Sequence, residues 1–305
     1  MSTAYDRDCC FRRSTNAGVP RVLWELNTTC NLGCGFCHAR PHSDAGLPAA
    51  GVQAGLESLA RLGIHEIIFS GGEPLLRPDC LPLLHRARQV GFQVDLCTNA
   101  VLITPEVAGQ LSQSLAEISV SLDSADPSIH NRLRGRRRAW QLAVSGVRNL
   151  VNCGLEVHAI SLVCDETVPG IQETVAFLAG LGVQSVTLLG LVPTADNSRD
   201  YRLSETSRNQ LVAGLPGLRQ RNPHIVINTK RITATESAAS CGAGKNIWGI
   251  TASGELIPCI LLQGCSQGIP IPALSAFSTW EQVNAHLGAA NPGPLWQRCD
   301  SIEKG

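Results

Sequence analysis

The residues with the clearest chemical meaning are three cysteines in one short loop, Asn27-Thr-Thr-Cys30-Asn-Leu-Gly-Cys34-Gly-Phe-Cys37-His38. Three thiolates at this spacing, with Gly33 and Gly35 permitting tight curvature, can wrap one face of an iron–sulfur cubane and leave its fourth iron free. An incomplete protein ligand set is the logic of a catalytic metal centre that must admit a substrate or cofactor. Zinc is the alternative, with His38 as fourth ligand, although zinc motifs normally offer a second matched pair close by.

Other polar clusters follow. In Ser70-Gly71-Gly72-Glu73-Pro74 the glycines let backbone come close to a ligand and present carbonyls to an ammonium group, Glu73 adds charge and Pro74 stiffens the exit. Thr98-Asn99 and Ser119-Val-Ser121-Leu-Asp123 offer hydroxyls and carboxylates that serve either a ligand or local capping. Five arginines crowd Arg132-Leu-Arg134-Gly135-Arg136-Arg137-Arg138 before a predicted helix, where cations oppose the macrodipole unless an anion is near.

The elements that must position these groups are legible as alternating short apolar runs and amphipathic stretches. Strands are expected at Val22–Leu26, Glu66–Ser70, Gln93–Cys97, Glu117–Leu122, Glu156–Val163 and Ser185–Leu191. Helices are expected at Ala49–Leu62, Leu81–Val90, Pro105–Leu111, Ala139–Cys153, Ile171–Leu181 and Glu205–Arg221. Six βα units in series require a largely parallel sheet that right-handed crossovers curl into a full or partial barrel. Each polar motif above falls at a carboxyl strand end, where such sheets bind ligands.

After Asn222-Pro223 the rhythm changes to a short strand (Ile225–Asn228), a hairpin around Ser253-Gly254 and loops rich in Gly, Pro and Cys. The expected organisation is an N-terminal segment 1–20, a core 21–222 and a smaller unit 223–305. Twenty-five basic and 25 acidic residues give zero formal charge, so nothing global draws the chain to nucleic acid or an anionic membrane. With no long apolar run and a charged N-terminus it reads as cytoplasmic. Thirteen cysteines in that reducing compartment point to metal or catalysis before disulfides. Cys80, Cys97, Cys153 and Cys164 read as buried small hydrophobes, and Cys9-Cys10 has no assigned role.

Over residues 20–220 these ordered motifs resemble the radical S-adenosylmethionine (SAM) superfamily. The resemblance implies an α/β partial (β/α)6 barrel with a [4Fe–4S] cluster on Cys30, Cys34 and Cys37, SAM chelating the unique iron, and reductive cleavage to methionine and a 5′-deoxyadenosyl radical. It implies SAM contacts at Phe36, Gly71, Gly72, Glu73, Pro74, Thr98, Asn99, Ser121, Asp123 and Arg134, with Glu73 and its glycines near the methionyl amino group and Arg134 near a carboxylate.

In the last third, Cys241 and Cys259 flank a strand–turn–strand segment that would bring them together at its open end, and Cys265 and Cys299 remain to complete a thiolate site. The segment resembles the SPASM and twitch extensions, whose hairpin begins an auxiliary iron–sulfur site; a twitch region commonly closes with Cys-x2-Cys, and here Ile302 takes the second position. One auxiliary [4Fe–4S] cluster on Cys241, Cys259 and Cys299, with Cys265 or an open position as the fourth, is the expectation; a zinc ribbon is the alternative. The function expected is hydrogen abstraction from a small polar metabolite, with reduced flavodoxin or ferredoxin as electron donor. A peptide-modifying maturase is the second enzyme reading, and a non-catalytic iron–sulfur or zinc scaffold would leave Gly71–Pro74 unexplained.

Overall fold

The computed structural model describes residues 21–37, 44–115, 117–191, 201–232, 243–245, 247–263 and 266–291. Strands β1 (Arg21–Glu25), β2 (Glu66–Ser70), β3 (Gln93–Thr98), β4 (Glu117–Ser121), β5 (Glu156–Val163) and β6 (Ser185–Gly190) lie side by side in chain order, each neighbouring pair parallel. The connections carry α1 (Ala49–Arg61), α2 (Cys80–Val90), α3 (Pro105–Leu111), α4 (Pro127–Leu133), α5 (Ala139–Asn152) and α6 (Ile171–Gly180). Apart from α4, every one of these matches its sequence-predicted span to within one residue. Helix α4 starts at Pro127, whose fixed φ suits the first turn, behind Asp126, whose carboxylate accepts from Ser128 N.

Beyond β6, α7 (Glu205–Arg221) returns the chain to β7 (Val226–Lys230), which pairs parallel with β6. The expected hairpin forms as β8 (Ile247–Ile250) and β9 (Glu255–Ile257), with Gly254 supplying the positive φ of 85° that the turn needs. Its strand β8 joins the opposite edge, parallel to β1, and β10 (Ile269–Pro270) pairs antiparallel with β9. The sheet is therefore continuous across the change of rhythm at 222/223. The result is an α/β partial barrel of parallel strands with an antiparallel C-terminal extension. That extension is tied to α1, where the Arg61 guanidinium donates to the carbonyls of Leu274 and Phe277. A last helix, α8 (Trp280–Ala290), opens with a capping box between Thr279 and Gln282.

Period-two alternation sorts each strand into two faces. Val22 and Trp24 of β1, Ile67 and Phe69 of β2, Val94 and Leu96 of β3, Ile118 and Val120 of β4, and Val186 and Leu188 of β6 all join one apolar cluster beneath the helices. Burying each large side chain contributes roughly 1.5–3 kcal/mol. The alternate residues face the barrel interior and are largely polar. In register, Glu25 lies beside Ser70, Cys97 beside Ser119, Ser119 beside His158, and His158 beside Ser185. One polar residue from each of six strands thus forms a belt across the bore.

Two cysteine expectations need correction. Cys80 and Cys164 are buried as expected, but Cys97 is only half-buried on the bore side and Cys153 is exposed at the end of α5. The alternation of Cys97 with Leu96 is what turns it inward.

Candidate active site

The cysteine loop leaves the carboxyl end of β1 and is clasped by the loops that follow β2, β3 and β4. Against β2, the pairing continues past the strand ends: Leu26 N donates to Ser70 O, Gly72 N to Asn27 O and Glu73 N to Thr29 O, each at 2.8 Å. Asn27 Nδ2 adds a bond to Glu73 O at 3.1 Å. This proximity explains both glycines. A Cβ on Gly71, whose φ is 140°, would fall 2.2 Å from Asn27 O, and one on Gly72 would fall 2.3 Å from Thr29 O and 2.4 Å from Thr28 O. The backbone these glycines accommodate is the chain's own.

From the β3 side, Asn99 Nδ2 donates to Asn31 Oδ1 at 2.7 Å and approaches Cys30 Sγ at 3.9 Å. From the β4 side, Gly33 N donates to Arg134 O at 3.1 Å, and Arg136 Nη1 donates to Asn31 O at 3.2 Å. Gly135, at φ 61°, has room for no Cβ because Gly33 O would lie 2.3 Å away.

Glu73 is fully buried. Its Oε1 accepts from Thr98 Oγ1 at 2.8 Å and Leu75 N at 3.2 Å, and its Oε2 accepts from Asn99 N at 2.8 Å. Burial pushes its carboxyl up to about 7 against the lowering effect of these three donors. The side chain is a strut between the ends of β2 and β3.

Asp123 and Arg134 form a second buried unit. Arg134 Nε donates to Asp123 Oδ2 at 2.6 Å and Nη2 to Oδ1 at 2.7 Å, a two-pronged pair. Leu162 N also donates to Asp123 Oδ1 at 3.0 Å. His130, on α4, accepts from Asp123 N through Nδ1 at 3.2 Å, and burial lowers its pKa to about 4, so the ring is neutral beside this pair. The remaining Arg134 nitrogen, Nη1, reaches Cys34 Sγ at 3.9 Å, and the guanidinium carbon sits 5.1 Å from the centre of the Phe36 ring.

The donors around the thiols suit an iron–sulfur cluster. Burial, outweighing a bond from Leu32 N, pushes the Cys30 thiol up to about 11, so a cation is needed for it to act as a thiolate at neutral pH. Among the described residues, no three His, Cys, Asp or Glu side chains converge as ligands for a single ion. Asn31 Nδ2 is a buried donor with no acceptor among the described residues, a polar atom that a sulfide or a bound ligand would satisfy. His38, the alternative zinc ligand, lies outside the described residues.

The residues expected to touch SAM are therefore gathered at one pole, but most are bonded to one another. Gly71, Gly72, Glu73, Thr98 and Asn99 knit β2 and β3 to the loop, Pro74 is buried at the start of a short turn, and Asp123 and Arg134 pair. Ser121 stands half-buried at the carboxyl end of β4, paired through its backbone with β5. Sequence reasoning did not find Tyr201, whose ring covers Gly35 and meets Phe36 edge-on at 5.6 Å. Nor did it find Arg77, which donates to the carbonyls of Leu26, Ala45 and Leu47 and pairs with Asp79. Neither carries a motif; each is recognisable only from the fold.

Of the second cysteine group, Cys241, Cys265 and Cys299 lie outside the described residues and Cys259 is half-buried. Strand β8 runs parallel to β1 and β9 antiparallel to β8, so β9 heads toward the amino-terminal end of β1, and its pairing ends at Ile257, two residues before Cys259.

Comparison with known proteins gives three kinds of match. The AdoMet-dependent heme synthase of Methanosarcina barkeri is 28% identical, covering 95% of this chain and 89% of its own. Mycofactocin maturase MftC of Mycolicibacterium smegmatis is 28% identical over 82% of this chain and 66% of its own. In fold, Streptococcus suis SuiB bound to its precursor peptide SuiA matches with a TM-score of 0.70 at 18% identity, over 82% of this chain and 62% of that one. AdoMet-bound anSMEcpe matches with a TM-score of 0.71 at 15% identity. The chain spans under half of the heme synthases of Oleidesulfovibrio alaskensis and Nitratidesulfovibrio vulgaris, at 46% and 48% of their lengths. A family model described as the radical SAM superfamily matches residues 24–178. That stretch is just over half of the chain and holds the whole cysteine loop with every strand end that clasps it, so the chain belongs to the radical SAM superfamily.

Proposed function

We propose that this radical SAM enzyme abstracts hydrogen from a C–H bond of a small polar metabolite seated in the barrel bore, leading to oxidation, elimination or rearrangement. When bound at Cys30, Cys34 and Cys37, the [4Fe–4S] cluster with SAM supplies the 5′-deoxyadenosyl radical. Asn99, Arg134 and Gly135 fix the loop that presents the thiols. Ser121 offers a hydroxyl to the methionyl carboxylate, and the Gly71–Pro74 turn lies where the amino group is expected. Reduced flavodoxin or ferredoxin provides the electron, in the cytosol. Among the described residues no helix is long and apolar enough to cross a membrane.

The observation that carries this reading is the polar belt. An inward row of Glu25, Ser70, Cys97, Ser119, His158 and Ser185 gives the bore a polar lining, which suits a substrate carrying hydroxyls and amines better than an apolar one. His158 is already oriented, with Nδ1 2.6 Å from Ser185 Oγ and Nε2 3.1 Å from Thr187 Oγ1. An auxiliary [4Fe–4S] cluster on Cys241, Cys259 and Cys299, with Cys265 or an open position as fourth, would accept a second electron or anchor substrate.

A peptide substrate is the second reading, favoured by the likeness to MftC and to SuiB bound to its precursor peptide. Anaerobic reconstitution with SAM and deuterated candidates separates the two. Deuterium transferred to 5′-deoxyadenosine from a polar metabolite supports the first reading, and transfer only from a peptide supports the second.

A further inference from the structure

We propose that Arg134 is a positioning residue for the cluster itself, a cation locked by Asp123 and aimed at Cys34, and that the pair tunes the cluster's reduction potential. The inference rests on the cluster being held by Cys30, Cys34 and Cys37. It differs from the role the superfamily resemblance suggests for Arg134, that of receiving a carboxylate of SAM or substrate.

Three observations carry it. Two of the guanidinium's nitrogens, Nε and Nη2, are committed to the Asp123 carboxylate at 2.6 and 2.7 Å, so the Nε–Nη2 edge of the planar fork is occupied before any ligand arrives. The third nitrogen reaches Cys34 Sγ at 3.9 Å, and the same residue's carbonyl accepts from Gly33 N, so side chain and backbone grip neighbouring residues of the loop. Phe36 closes one face of the guanidinium. Arg134 is 8% exposed and Asp123 0%, which leaves solvent little room to screen the charge. A positive charge with an N–H directed at a cluster thiolate favours the reduced, more negative state of the cluster. Asp123 offsets part of that charge, so the two side chains should move the potential in opposite directions.

The test is redox titration of the reconstituted cluster followed by electron paramagnetic resonance, without SAM, alongside calorimetric SAM binding. Arg134→Gln should shift the midpoint to more negative potential, and Asp123→Asn should shift it to more positive potential. Opposite signs are not expected from a simple loss of packing. If Arg134→Gln fails to retain iron, the direction of the Asp123→Asn shift decides alone; an absent or negative shift there overturns the proposal. An unchanged midpoint in Arg134→Gln with a SAM affinity lowered more than tenfold would overturn it too, returning Arg134 to the carboxylate role. A wild-type protein that takes up no iron would remove the cluster reading and this inference with it.

Discussion

Replacing Gly72 by Ala should damage the cysteine loop as well as SAM binding. The added Cβ would meet Thr29 O at 2.3 Å and Thr28 O at 2.4 Å, both backbone atoms, where even 3.0 Å is rarely tolerated. The two segments must therefore part, straining the bonds from Gly72 N to Asn27 O and from Glu73 N to Thr29 O. Losing them costs about 1 kcal/mol each, and overpacking adds roughly 1–3 kcal/mol, a total of about 3–5 kcal/mol. For a chain of this size that lowers the melting temperature by roughly 5–8 °C. The strain falls on the residues leading directly into Cys30, so iron retention after anaerobic desalting should fall with stability. Gly109→Ala is the control. Gly109 lies within α3 with open space around its Cα, and Ala there should stabilise by about 0.5–1 kcal/mol. A Gly72→Ala protein with wild-type melting temperature and full iron content would refute the reasoning.

Further predictions concern the struts and the second cysteine group. Glu73, raised from 4.5 to about 7 by burial, binds more protons folded than unfolded across that interval, so its contribution to stability is fully present below 4.5 and is lost as pH rises through 7. Glu73→Gln should flatten this part of the stability profile, read by denaturant melts of the iron-free protein; an unchanged slope would show the carboxyl titrates normally. Arg77→Ala leaves the carbonyls of Leu26, Ala45 and Leu47 without their donor and should destabilise by about 3 kcal/mol, with a melting temperature equal to wild type as the contrary result. A triple Cys30/Cys34/Cys37→Ala protein reconstituted without oxygen should keep about four irons in the auxiliary centre; zinc without iron would indicate a structural ribbon.

The βα units were legible because their apolar alternation is strong and their boundaries carry Gly, Pro and capping residues. Helix α4 was not, since its seven residues bury only His130 and Leu133, too few for a period to show. The placement of β7 and β8 at opposite sheet edges depends on pairing choices made far along the chain, which local pattern does not encode. At the site, sequence showed which polar residues stand at strand ends but not which way they turn. Thr98 could equally have met a ligand; only the fold shows its hydroxyl spent on Glu73, just as Asp123 is spent on Arg134.

The central claim is that the three thiols hold a cluster that cleaves SAM. Anaerobically reconstituted protein given SAM and a low-potential reductant should release 5′-deoxyadenosine, and Cys30→Ala, Cys34→Ala and Cys37→Ala should each abolish that release while the apo protein stays folded. Undiminished 5′-deoxyadenosine formation in any one of the three variants would contradict the account.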